Sequence, residues 1–186
     1  MEVAVVVTSN EERSSKAAAR YPGAEVVPDI ADAWGGIDLL VVASPNRSHA
    51  ELALGAVERD LPVVIDKPLA ATLDEAERVN RAGGRVTVFQ NRRWDGDFMT
   101  LRSILDEGSL GQIVRFESRF ERFRQEIRDA WRESGDPLDG GGQLADLGAH
   151  LIDQAIVLFG PPNNVYAEVD TRRPGAVTDD DAFIAL

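Results

Sequence analysis

The chain has 186 residues, no cysteine, and 20 Lys+Arg against 32 Asp+Glu, a formal net charge of -12. The lack of cysteine excludes disulfide scaffolds and thiol sites, and the acidic balance argues against a nucleic-acid partner, whose affinity comes from clustered Lys and Arg. The apolar runs are far shorter than the roughly 18 residues of a membrane helix, so the sequence predicts a cytoplasmic protein with no membrane partner.

The first half of the chain alternates short apolar strands with helices. Near-continuous apolar strands separated by amphipathic helices indicate a parallel sheet covered on both faces, the doubly wound α/β arrangement. The predicted strands are residues 3–7, 25–27, 39–43, 63–65 and 86–89, and the predicted helices are 11–20, 30–34, 47–59 and 73–82.

The pattern changes after residue 91. Period-two alternation over residues 113–123, with charges on one face, predicts a half-exposed antiparallel strand, and the interleaved Arg and Glu from 115 to 133 predict a solvated face. We therefore expect an α/β domain over 1–91 and an α+β domain over 92–186. The other elements predicted in this half are helices at 98–107 and from 143 to 159, and strands at 165–169 and 182–186.

Polar residues stand at the ends of two predicted strands. Ser44-Pro45-Asn46 and His49 follow the third strand, and Asp66-Lys67-Pro68 ends the fourth. Ligands of doubly wound sheets bind outside the carboxyl ends of the strands. There the Lys67 ammonium could polarise a substrate oxygen. Two alternatives stay open: Ser-Pro-Asn as a helix N-cap, and Lys67 as an ordinary surface lysine.

A second polar cluster follows the glycines 140–142. Asp146, His150 and Asp153 are spaced i, i+4, i+7, so on a helix they share one face. Three interpretations compete: a carboxylate that orients His150 as a general base, a divalent-metal site, and a surface ion pair. The glycine triplet fits either contact with a ligand or a simple turn into the helix.

Taken in order, these motifs resemble the glucose-fructose oxidoreductase / inositol dehydrogenase (Gfo/Idh/MocA) family. They read Ser-Pro-Asn-x-x-His, Asp-Lys-Pro and Gly-Gly-Gly-x-x-x-Asp-x-Gly-x-His-x-x-Asp, and the likeness covers essentially the whole chain. Residues 88–98, 119–124 and 131–133 look like the subgroup that includes NADP-dependent scyllo-inositol dehydrogenases. The resemblance implies an NAD(P)-dependent oxidoreductase that interconverts a sugar or polyol hydroxyl and a ketone, and that forms a homo-oligomer.

The resemblance also implies roles for individual residues. His150 would remove the hydroxyl proton, Lys67 would hydrogen-bond the same oxygen, and Asp146 would position the substrate and pair with Lys67 or His150. The Lys67–Pro68 bond is a candidate cis peptide. The family usually has glutamate in place of Asp66, whose reach is shorter. Substrate would contact Lys67, Arg93, Asp146 and His150, without a metal, and the cofactor would lie along Ser44, Pro45, Asn46, His49, Asp66 and Lys67.

The cofactor prediction depends on the end of the first strand of this chain, which the match makes the second strand of the family. In dinucleotide-binding folds an Asp or Glu there takes the ribose hydroxyls. Here Thr8, Ser9 and Asn10 occupy that end, with Arg13 one turn later. Neutral groups together with an arginine favour NADP over NAD.

The family pattern further implies parts that this sequence does not show, namely a Gly-x-Gly-x-x-Gly turn after an earlier strand and more strands in the second sheet. The expected fold class is a Rossmann-like parallel sheet lacking its first strand, followed by an incomplete α+β domain with an open, largely antiparallel sheet. We favour a piece of a longer polypeptide. The alternative is an inactive chain in which strands 3–7 and 39–43 have closed up, a ligand-binding or oligomerisation module of the same ancestry.

Overall fold

The first half of the chain consists of parallel strands with helices between them, in a computed structural model that describes residues 2–128 and 130–186. Every strand pairing described in this half is parallel, which confirms the predicted α/β class. The strands are β1 (Val5–Val7), β2 (Glu25–Val27), β3 (Leu40–Val42), β4 (Val63–Asp66) and β5 (Val86–Phe89), and the helices are α1 (Glu11–Arg20), α2 (His49–Glu58) and α3 (Leu73–Ala82).

The parallel strands form two separate sheets. β1 pairs with β2, whereas β3, β4 and β5 form a second sheet in that order. Within the described ranges no pairing joins β1 to β3, so the alternative in which strands 3–7 and 39–43 close up on each other is wrong. Each of these two strands instead has one hydrogen-bonded neighbour, β2 for β1 and β4 for β3.

The core packs around β4, the middle strand of the larger sheet. Val63 and Ile65 are completely buried and belong to one apolar cluster with small residues of α2, including Ala53 and Ala56. Alanine has no side chain beyond its Cβ, so α2 can approach the strands closely. This packing places His49, the first residue of α2, near the carboxyl ends of β3 and β4.

Side-chain caps set the starts of two helices where the sequence predicts them. The Asn10 side chain accepts a hydrogen bond from the Arg13 amide at the start of α1, and Thr72 and Glu75 form a reciprocal capping box at the start of α3. The described α-helices have 10 or 11 residues each. Among the residues described, no helix has the length and apolar character that crossing a bilayer requires.

The second half adds helices and one small antiparallel sheet. A π-helical turn, Leu144–Gly148, leads directly into the last helix. The final two strands pair antiparallel and lie within one residue of their predicted positions. The domain boundary near residue 91 falls at a 3-10 turn, Asn91–Trp94, and stays a prediction. The elements are α4 (Gly96–Asp106), α5 (Ala149–Phe159), β6 (Tyr166–Asp170) and β7 (Asp181–Ala185).

The strand predicted over residues 113–123 is wrong. The segment has no strand hydrogen bonding, and none of the described strands pairs with it. Val114 is 91% exposed and Phe123 is 95% exposed, whereas Phe116 packs against the ring of Phe159 with centroids 5.3 Å apart. An extended segment becomes a strand only when a neighbour pairs with its backbone N–H and C=O groups, and alternation in the sequence cannot supply that neighbour.

Candidate active site

Lys67 is held at the end of β4 from several directions. Its backbone N–H donates to Asp66 Oδ1 at 2.9 Å, and its Nζ donates to Asp146 twice, to the main-chain oxygen at 2.7 Å and to Oδ1 at 2.9 Å. The Lys67 side chain is 12% exposed, so the surface-lysine alternative is wrong. The Lys67–Pro68 peptide is cis, which confirms that prediction.

Asp146 joins two cations. Its second carboxylate oxygen accepts from Arg132 Nε at 2.7 Å, and the Arg132 guanidinium stacks 4.2 Å from the centroid of the Trp131 ring. Burial alone would raise the pKa of Asp146, but the hydrogen bonds from Lys67 and Arg132 outweigh it, so this pKa lies below its ordinary value. The carboxylate is therefore ionised at neutral pH and compensates part of the positive charge around it.

Arg132 is a site residue that the sequence did not predict. It belongs to the Arg- and Glu-rich stretch interpreted above as a solvated face, and its side chain is half exposed, yet its Nε reaches Asp146. The residues that follow Arg132 are anchored by two ion pairs. Glu133 accepts from Arg173 Nη2 at 2.7 Å, and Asp139 accepts from Arg47 Nε at 3.0 Å.

His150 is a buried imidazole, 6% exposed. Its Nδ1 is buried and has no hydrogen-bond partner among the described residues. Burial, followed by the positive charges of Lys67 and Arg92, lowers the pKa of His150 below its ordinary 6.5, although Asp146 and Asp153 act in the opposite direction. A neutral ring that can accept a proton follows. Burial also contradicts the surface-ion-pair interpretation of this histidine.

The π-helical turn separates the partners of the three predicted site residues. An α-helical spacing would put Asp146, His150 and Asp153 on one face, but Leu144–Gly148 is wound more widely. Asp146 bonds Lys67 and Arg132, while Asp153 accepts a two-pronged hydrogen bond from Arg93, at 2.8 and 2.6 Å. In residues 2–128 and 130–186, no three His, Asp or Glu side chains are grouped to hold a metal ion.

The glycine triplet is required by protein packing. A Cβ at Gly141 would lie against the main-chain oxygen of Ser134 and 3.0 Å from that of Trp131. Just after the triplet, Gln143 N donates to the Asp179 main-chain oxygen at 3.1 Å and Leu144 N to its carboxylate at 2.7 Å. These contacts favour the turn-into-the-helix interpretation, and Asp179 is a second residue that the sequence did not predict.

The Ser44-Pro45-Asn46 loop connects the two halves of the chain. The Asn46 amide donates to the Asp139 main-chain oxygen at 2.7 Å, and Arg47 Nη2 donates to Asp136 at 3.1 Å. Neither the 3-10 turn Asn46–Ser48 nor α2 begins with a side-chain cap, so the N-cap alternative is wrong. The loop instead holds the segment that carries Arg132.

His49 lies beneath this loop with 1% of its surface exposed. Its Nδ1 is 2.7 Å from the Pro68 main-chain oxygen and its Nε2 is 2.9 Å from the Ser44 main-chain oxygen. Both ring nitrogens therefore lie within hydrogen-bond distance of a backbone carbonyl. The predicted contact of His49 with a cofactor conflicts with this burial.

The predicted ribose site lies at the end of β1. Thr8, Ser9 and Asn10 line an open depression of about 470 Å³, and the hydroxyls of Ser14 and Ser15 extend it. A second depression, of about 530 Å³, lies against Trp131 and its neighbours. Neither depression is lined by the Lys67–Asp146 pair or by His150.

Comparison with known proteins defines the class. Residues 1–88 match the GFO/IDH/MocA oxidoreductase family with its NAD-binding Rossmann fold, and residues 98–186 match the GFO/IDH/MocA C-terminal domain. The chain belongs to this family of oxidoreductases.

Particular relatives and structures agree with that assignment. The chain is 44% identical to the uncharacterized oxidoreductase YdgJ of Escherichia coli, with 96% of this chain and 52% of that protein aligned. It is 35% identical to the scyllo-inositol 2-dehydrogenase (NADP(+)) IolW of Bacillus subtilis, with 100% and 52% aligned. The structure of yvaA from Bacillus subtilis superposes with a TM-score of 0.89 at 34% identity, over 98% of this chain and 53% of that one. The chain thus spans about half the length of these relatives.

Proposed function

We propose that the protein carrying this chain is an NAD(P)-dependent dehydrogenase that interconverts a hydroxyl and a ketone on a sugar or polyol. The observation that carries the proposal is the Lys67–Asp146 pair, which joins the end of β4 to the helical segment containing His150. It puts a cation with little exposure and a neutral histidine in one neighbourhood. A ligand-binding module would not need a proton acceptor beside a held ammonium.

The two residues divide the work of oxidising a hydroxyl. A bound nicotinamide supplies the acceptor or donor of the hydride. His150, whose pKa is lowered by burial and by neighbouring positive charge, accepts the hydroxyl proton as a neutral base. The Lys67 ammonium stabilises the negative charge that develops on the oxygen. Asp146 orients Lys67, and Arg132 holds Asp146 ionised.

The substrate class is proposed from the relatives and from the polar character of the site. IolW is named a scyllo-inositol 2-dehydrogenase, and another Bacillus subtilis relative, 33% identical, a glucose-6-phosphate 3-dehydrogenase. Polyols and sugars present many hydroxyls, which charged groups such as Lys67 and Asp146 can bind. Arg93, fixed by Asp153 and 46% exposed, is the further substrate-contacting residue that we propose.

The residues at the end of β1 fit the adenosine side of a dinucleotide. The depression there is rich in hydroxyls, which can hydrogen-bond a ribose. Glu11 also lines it, and a carboxylate would oppose a 2'-phosphate. The preference for NADP over NAD therefore depends on Arg13 and on the relative IolW, whose name specifies NADP(+). Ser44, Pro45, Asn46, Asp66 and Lys67 keep their proposed places on the cofactor side.

The test is a panel of inositols and aldoses offered to the full-length protein with NADP+ and with NAD+. The measurement is the rate at which the nicotinamide is reduced. Reduction with at least one polyol or sugar is expected, and faster with NADP+. Ligand binding without reduction across the panel would favour the non-catalytic alternative. Assembly into a homo-oligomer and a cytoplasmic location remain predictions that this panel does not address.

A further inference from the structure

His49 is a buried, polar side chain that the proposed reaction does not use. Its ring lies between two loops that come from different strands, with Nδ1 facing the Pro68 carbonyl and Nε2 facing the Ser44 carbonyl. Pro68 directly follows Lys67, and Ser44 follows the end of β3. The imidazole therefore bridges the loop after β3 and the residue next to the held lysine.

We propose that His49 is a positioning residue that fixes Lys67 through the main chain of Pro68. The inference depends on the proposed function, because it assigns His49 a role in placing the Lys67 ammonium. The backbone on each side of the Lys67 side chain is held by one contact. The Lys67 N–H donates to Asp66 Oδ1, and His49 contacts the carbonyl of Pro68. The contact from Asp66 is local, whereas the contact from His49 comes from α2 and ties Lys67 to the core.

The two contacts of the ring are not equivalent for Lys67. Both partners are carbonyl oxygens, which only accept, so a neutral ring donates a hydrogen bond in only one of the two contacts. The Nδ1 contact acts on Pro68, the residue after Lys67, and is the shorter, at 2.7 Å against 2.9 Å for the Nε2 contact. The Nε2 contact acts on the loop after β3. Only the Nδ1 contact acts on the residue bonded to Lys67.

Two substitutions separate these contacts. The amide of asparagine lies where Nδ1 of histidine lies, and the longer side chain of glutamine carries its amide to the place of Nε2. His49→Asn therefore retains a donor for Pro68, and His49→Gln a donor for Ser44. An ordinary buried histidine that only fills the core would show no such order in turnover.

The expected result is that His49→Gln lowers kcat by about 100-fold, because small misplacement of a reacting group costs that much. His49→Asn should retain most of the wild-type kcat, and neither variant should change the KM for the cofactor. In a Lys67→Ala background the cost of His49→Gln should disappear, since the residue acts through Lys67. Equal losses in Asn and Gln, or an undiminished loss in the Lys67→Ala background, would overturn the inference.

A second measurement needs no substitution. ¹⁵N-histidine NMR of the unmodified protein should show a proton on Nδ1 of His49, and an unprotonated Nδ1 would remove the bridge whether or not the variants fold. The proposed function fails separately. If Lys67→Ala alone has full activity, the assignment of the site is wrong. If Lys67→Ala loses activity but His49→Asn is no more active than His49→Gln, only the role of His49 is overturned.

Discussion

Lys67 donates twice to Asp146, to its main-chain oxygen at 2.7 Å and to its carboxylate at 2.9 Å. The carboxylate contact orients the aspartate side chain, and the carbonyl contact ties the ammonium to the backbone of the π-helical turn. The position of the ammonium thereby depends on both the charge and the backbone of the facing segment. A substitution that removes only the charge separates these two effects.

Asp146→Asn is expected to lower kcat by about 100-fold, the usual cost of losing a preorganised electrostatic contact. The side chains of Lys67 and Asp146 are 12% and 16% exposed, so the Lys67 ammonium would lose its paired charge with little solvent to replace it. We also expect the free energy of unfolding to fall by about 1–3 kcal/mol in denaturant titration. The control is Glu12→Gln, because the exposed Glu12–Lys16 pair should contribute almost nothing. Unchanged turnover in Asp146→Asn would contradict the assignment.

His150→Ala should reduce turnover by about 10²- to 10⁴-fold, the contribution of a general base. The affinity for NADPH, measured by fluorescence titration, should stay the same, because His150 does not line the ribose depression at the end of β1. A near-normal rate would remove His150 from the mechanism. Loss of cofactor binding together with rate would instead indicate a structural role.

The acid limb of kcat/KM should lie below pH 6.5, because burial and the charges of Lys67 and Arg92 lower the pKa of His150 from that value. Asp146 and Asp153 raise the pKa, but by less. Arg92→Gln removes one of these charges and should move the limb upward. In the same range the unfolded chain binds more protons at this histidine than the folded chain. Its contribution to stability is therefore present above pH 6.5 and is lost as the pH falls through the lowered pKa.

That stability term can be measured on its own. Thermal unfolding recorded against pH should lose part of its slope below 6.5 in His150→Gln, which cannot titrate there. An acid limb above 6.5 in the wild-type protein, or a limb that Arg92→Gln does not move, would contradict the electrostatic account of this residue.

Gly141→Ala should destabilise the protein by about 1–3 kcal/mol, the typical cost of overpacking. The new Cβ would meet the backbone of Ser134 and Trp131, which cannot rotate away. Gly35→Ala is the matched control, because nothing lies within 4 Å of a Cβ there. Thermal unfolding compares the two. A destabilisation of equal size at both positions would show that backbone freedom, and not packing, accounts for the glycine.

Arg13→Gln should weaken NADPH binding about tenfold and leave NADH binding unchanged. A charge-assisted hydrogen bond to a phosphate is worth about 1.5–3 kcal/mol, and only NADPH carries the 2'-phosphate. Isothermal titration with both cofactors gives the comparison. Equal weakening of both, or tighter binding of NADH than of NADPH by the unmodified protein, would reverse the proposed cofactor preference.

Local signals account for what the sequence predicts of the fold. The bounds of α1 and α3 follow from caps at Asn10 and Thr72, which lie within three residues of the amides they bind. The segment 113–123 shows the limit of such signals, because its alternation is local whereas a strand needs a partner elsewhere in the chain.

The site divides in the same way. Lys67 and His150 are identifiable from short motifs. Arg132 bonds a residue 14 positions away and Asp179 one 35 positions away, and no rule of local sequence spacing predicts such pairs. The motif also draws attention to His49. Its burial, which turns a predicted ligand contact into a backbone bridge, results from the packing of α2 against the strands.

The stacking of Arg132 on Trp131 gives the protein an optical reporter. A cation 4.2 Å from an indole centroid affects the emission of that indole. A substrate that draws Arg132 away from Asp146 would therefore change the emission wavelength or intensity of Trp131. Trp34 stacks with Arg59 and lies beside Gly55, and Trp94 is 69% exposed. Replacing Trp34 and Trp94 by phenylalanine would leave Trp131 as the single tryptophan of the sequence, and its emission could report binding without consuming the nicotinamide.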